Sequence, residues 1–139
     1  MLLFATLSCV VTLAAACGGR GDTGDSSEPD GAATVSEQRY PEVVDAELET
    51  SGGGEYALSV TISSPYDSPR RYADGWRVLT PDGEVLGRHE LMHDHADEPP
   101  FTRTQTGLEI PEGVGRITVE GRDLENGYGG QTVTVPVSG

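Results

Sequence analysis

His89-Glu90-Leu91-Met92-His93 is the stretch of this chain whose residue types and spacing could do chemistry. Two imidazoles four residues apart on one helical face can hold a zinc ion while the carboxylate between them activates a metal-bound water. That arrangement needs a helix, where positions four apart lie about 6 Å from each other. On a strand the same residues sit about 13 Å apart, too far for two imidazoles with bonds of about 2 Å to share an ion. The surrounding residues predict a strand: Gly83 and Gly87 precede the motif, Val85 and Leu91 fit a period of two, and Pro99-Pro100 follow closely. His93 and His95 keep their chemistry on an extended segment, because residues two apart face the same way at about 7 Å. Asp94, Asp97 and Glu98 stand beside them as oxygen ligands and Met92 as a soft one, so copper or zinc is the metal expected there. Calcium would instead need Asp97, Glu98, Asp123 and Glu125. Without a metal, the segment reads as a solvated polar loop tip.

The pentapeptide resembles the zinc-metallopeptidase signature, which would make His89 and His93 the ligands and Glu90 the base. Ala96 stands where the extended form of that signature places glycine, and no helix-rich pattern surrounds it. Peptidase activity is therefore the distant alternative. There is no G-x-S-x-G elbow and no phosphate loop, and the expectation is a protein that is not an enzyme.

The elements that must position these residues are strands. Val44, Ala46 and Leu48 alternate with acidic residues, and Tyr56, Leu58, Val60 and Ile62 alternate with small and polar ones. Tyr72, Trp76 and Val78 lead to the turn Thr80-Pro81-Asp82-Gly83, and Val85 to Met92 reads as the returning strand. Leu108-Glu109-Ile110, Ile117 with Val119, and Val133 with Val135 and Val137 complete about seven strands. Their turn spacing predicts an all-β fold, a single antiparallel β-sandwich. If the turn at 80–84 marks one end, loops 64–71, 93–100 and 124–130 gather at the other. Tyr66, Arg70, Arg71, Asp123 and Tyr128 are then the candidate binding-loop residues beside the histidines.

The segment Ile117 to Asp123, a Gly-rich loop and Thr132 to Val135 resemble the last two strands of bacterial immunoglobulin-like and fibronectin-type modules. That resemblance implies an immunoglobulin-like sandwich with Trp76 as the core tryptophan of its third strand, and transfers no activity. No inter-sheet cysteine pair is available, since Cys9 and Cys17 are the chain's two cysteines.

Both lie near the start, where an uncharged apolar run from Met1 ends at Ala14-Ala15-Ala16-Cys17. The run is shorter than the roughly 20 residues a membrane-spanning helix needs and suits an export signal. It resembles the signal peptide of bacterial lipoproteins. The resemblance implies removal of residues 1–16, acylation of Cys17, and a lipid bilayer as the partner of the new N-terminus. Its sorting rule, with Gly18 after the cysteine, implies the outer membrane in a cell with two membranes. Residues 17–38 then form a flexible linker, poor in apolar side chains, and residues 39–139 a single domain.

All nine basic residues are arginine and 23 are acidic, a formal net charge of −14. Such a chain lacks the cationic face that nucleic acid requires, so none is expected as a partner. The reading is an exported, membrane-anchored envelope protein whose sandwich is a binding or structural module for an unidentified envelope protein or ligand.

Overall fold

The computed structural model describes residues 38–138. The expected signal peptide 1–16, the expected acylation site Cys17 and all of the expected linker 17–38 but Gln38 lie outside the described residues. Among the described residues, eight strands form two antiparallel sheets: β1 (Glu42–Gly52), β2 (Glu55–Ser63), β3 (Ala73–Leu79), β4 (Val85–Glu90), β5 (Phe101–Glu109), β6 (Arg116–Asp123), β7 (Gly127–Tyr128) and β8 (Val133–Pro136). One sheet has the order β1-β2-β5; the other runs β4-β3-β6, with β7 and β8 pairing successive parts of β6. The count exceeds the expected seven because the last strand is broken by the turn after Tyr128.

Period-two alternation works here because each sheet buries one face. Leu58, Val60 and Ile62 on β2 meet Trp76, Val78, Ile117 and Val119 of the second sheet in one core, all of them fully buried. Burying such side chains contributes about 1.5–3 kcal/mol each, which is what a domain without cysteines has to rely on. The turn after β3 forms as expected: the Gly83 amide donates to the Thr80 carbonyl, and Thr80 and Glu84 close the hairpin.

Three expectations from alternation need correction. Val44 is 41% exposed and Val43 is buried, because a β-bulge between Val43 and Asp45 moves the inward position by one residue. The returning strand β4 stops at Glu90 rather than Met92, and Met92 projects into solvent. Finally, β5 begins at Phe101, seven residues before the expected Leu108. Its inward residues are Phe101, Gln105 and Leu108, so one polar side chain and a left-handed Gly107 (φ 69°) hide the pattern.

Candidate functional site

His89 and Glu90 are the last two residues of β4, so the helix that the H-E-x-x-H chemistry requires is absent. The His89 ring stacks on Trp76 at 4.2 Å, its cross-strand partner, while His93 lies beyond the strand and packs on His95 at 4.8 Å. The two imidazoles thus have different neighbours.

The loops expected at one end do come together, and buried aspartates hold them. Asp67 accepts the His95 amide at 2.9 Å through Oδ2 and the Ala73 amide at 3.0 Å through Oδ1. One carboxylate thereby ties loop 93–100 to the start of β3. Asp123, fully buried, accepts from Arg71 Nε at 3.2 Å, from the Asn126 amide at 2.8 Å and from the Glu125 amide at 3.2 Å. Glu125 adds a longer contact to Arg71 at 3.9 Å. The Arg71 guanidinium covers the Tyr66 ring at 4.2 Å and donates to the carbonyls of Gln38 and Arg39 at 2.8 and 2.9 Å. The point where the chain enters the domain is therefore clamped to the same end as the loops. Tyr66 hydroxyl is buried without a partner in bonding geometry; that burial, and then the nearby Asp123 charge, push its pKa up. Arg70 is exposed. Tyr128 stands apart from the cluster, on the outer face of the second sheet, with Arg77 over its ring at 4.2 Å.

The histidine loop forms a cleft of about 170 Å³ lined by His93, Asp94, His95, Asp97, Glu98 and Arg103. His95 is its buried floor, 4% exposed and stacked on Phe101 at 3.8 Å, and both ring nitrogens lack a hydrogen-bond partner. Burial first, and then the charge of Arg103, hold its pKa below the ordinary imidazole value. Glu98, an expected ligand, is paired with Arg103 at 2.8 Å, and the hydrogen bond from that guanidinium pulls its pKa down. Asp97 is exposed. The carboxylates expected for calcium are divided: Asp123 is committed to Arg71 and Asn126, Glu98 to Arg103. Among the described residues, no three or more His, Cys, Asp or Glu side chains stand close enough to hold a metal ion. Also among them, no helix is long and apolar enough to cross a membrane.

The sequence reading did not single out Asp74, a buried carboxylate bonded to Arg122 at 2.7 Å, or Gln105 as site or core residues. An acidic residue beside Gly75 just before the tryptophan was the available signal for Asp74; Gln105 carried none.

With this geometry in view, comparison with known proteins places one relative beside the chain. It is a protein of Halomicrobium mukohataei named "Putative lipoprotein", 44% identical over 97 residues. The match covers 70% of this chain and 47% of that protein. The chain spans about half of its relative's length. No protein-family model and no solved structure matches.

Proposed function

We propose that the chain is an exported, membrane-tethered lipoprotein of the cell envelope whose sandwich is a non-catalytic binding module. The observation that carries this reading is the 44% identical relative named as a lipoprotein, together with the apolar run that ends at Cys17. Acylated Cys17 is the bilayer anchor, in the outer membrane where the cell has two. The strand order β1-β2-β5 facing β4-β3-β6-β8 supports an immunoglobulin-like, fibronectin-type arrangement. In such sandwiches the loop ends are the usual binding surfaces.

Because Arg71 pins Gln38 and Arg39 at the loop end, the tether joins the domain on that side. A flexible linker of about 20 residues would have a root-mean-square reach of roughly 25 Å, enough for the domain to stand clear of the membrane surface. The test is Cys17→Ser in cells. Wild type is expected in the membrane and detergent fractions with a lipid mass on Cys17, and the variant as soluble protein or uncleaved precursor. Equal solubility of the two, with no lipid on Cys17, rules the anchor out.

A second reading, copper or zinc on His93 and His95, is favoured by the two unsatisfied nitrogens of His95. It expects about one metal per chain, with binding weakened by acidification as the imidazoles protonate. His93→Ala and His95→Ala each weaken it strongly while His89→Ala does not; equal loss in all three variants overturns it.

A further inference from the structure

The outer face of the five-stranded sheet carries a notch separate from the loop-end cleft. Gly75 lies on β3, paired with Glu90 of β4 on one side and Arg122 of β6 on the other, and has φ 154°. A Cβ there would collide with the His89 carbonyl oxygen, so the close approach of β4 demands glycine. No side chain then occupies this position of the sheet. The space beside it is an open cleft of about 300 Å³ lined by Asp74, Arg88, His89, Glu90, Arg122 and Tyr128. That volume is at the lower end for small-molecule sites.

Asp74 is the informative wall. Its side chain is 8% exposed; Oδ2 accepts from Arg122, and Oδ1 is buried with no partner. A dehydrated carboxylate oxygen without a donor is costly, and native structures seldom leave one unmet without a reason. On the neighbouring strand Arg88 is exposed and has no ion pair among the described residues. The charged walls balance, Asp74 and Glu90 against Arg88 and Arg122, in a chain of formal charge −14. A simple anion would face Glu90 and leave Asp74 Oδ1 unmet. A simple cation would leave Arg88 unmet.

We propose that this notch binds a small zwitterion bearing an ammonium and a carboxylate, the chemistry of a free α-amino acid. The ammonium donates a hydrogen bond to the Asp74 carboxylate, whose Oδ1 turns out of its buried position to accept it, the carboxylate accepts from Arg88, and the ligand's carbon atoms lie against the Tyr128 ring. Both contacts are charge-assisted hydrogen bonds, and the ligand's zero net charge matches that of the walls.

The test uses the full-length protein and a panel of the common L-α-amino acids, first by thermal shift and then by calorimetric titration of the strongest. At least one amino acid is expected to bind at millimolar concentration or below. Its N-acetyl and its amide derivatives, which lack one charge each, bind at least about tenfold more weakly. Asp74→Asn and Arg88→Gln each cause a similar loss, with circular dichroism unchanged; Arg88 is exposed, so its variant keeps the test valid if Asp74→Asn fails to fold. His93→Ala, at the loop-end cleft, leaves binding intact. Absence of amino-acid binding, equal binding of the N-acetyl derivative, binding of glucose in place of amino acids, an unaffected Arg88→Gln variant, or equal loss in His93→Ala would each overturn the proposal. Failure of this site leaves the lipid anchor untouched, since that is read from the mass on Cys17.

Discussion

The indole Nε1 of Trp76 on β3 donates a hydrogen bond of 2.9 Å to Gln105 Oε1 on β5, joining the two sheets through the core. Gln105 in turn donates a longer bond of 3.4 Å to the Arg88 carbonyl, so one amide links β5 to both β3 and β4. The ring is fully buried, and its N–H has no water to turn to.

Gln105→Leu is therefore expected to destabilise the domain by about 1–3 kcal/mol, because it leaves a buried donor unpaired. Trp76→Ala should cost on the order of 3–5 kcal/mol. Adding Trp76→Phe to Gln105→Leu should cost less than the sum of the single changes, since the indole donor that Gln105→Leu leaves unpaired is then gone. Urea denaturation of the three variants and the double variant measures this; strict additivity would show that the bond carries no coupling.

The Asp123 carboxylate should be the most sensitive charged group at the loop end. It is fully buried with Arg71 and Asn126 on its oxygens, and Asp123→Ala removes the guanidinium's nearest carboxylate together with the acceptor of the Glu125 and Asn126 amides. A loss of about 3–5 kcal/mol is expected. Arg71→Ala should also free Gln38 and Arg39, read as faster amide exchange at the start of the domain. Unchanged exchange there would show that the clamp is not what holds the entry.

Acidification should destabilise the fold before most carboxylates titrate. Burial holds the pKa values of both His89 and His95 below the ordinary imidazole value of 6.5. The unfolded chain then binds more protons than the native one as pH falls below that value, so the stability contributed by the neutral rings is present above it and lost below. Asp74, raised from 3.8 by burial, works in the opposite direction, since the fold favours its neutral form. The melting temperature should fall between about pH 7.5 and about pH 5.5, with each 1 kcal/mol worth about 4–8 °C in a domain of this size. His95→Phe, which keeps a ring on Phe101, should flatten that slope. A slope equal to wild type would show that His95 is protonated without cost.

How much of this was legible varies residue by residue. Leu58, Val60 and Ile62 announced their buried face because a strand's side chains alternate whatever surrounds it, and the Thr80 to Gly83 turn carried its own geometry. The same rule placed His89 on a strand and so dissolved the metallopeptidase motif. It failed at Val44, where a bulge depends on how β1 registers against β2, and at Phe101 to Gln105, where a polar residue faces inward.

An all-β chain of strands and turns, an acidic charge and an apolar run that ends at Cys17 are all readable from local residue types and their order, without knowing what packs against what. That Gln105 belongs in the core, that Arg71 joins Asp123 to the chain's entry, and that Asp74 keeps an unpartnered oxygen beside Gly75 emerges only from the folded packing. A buried polar group is stable only with a partner distant in sequence, so its role is set by which strands meet.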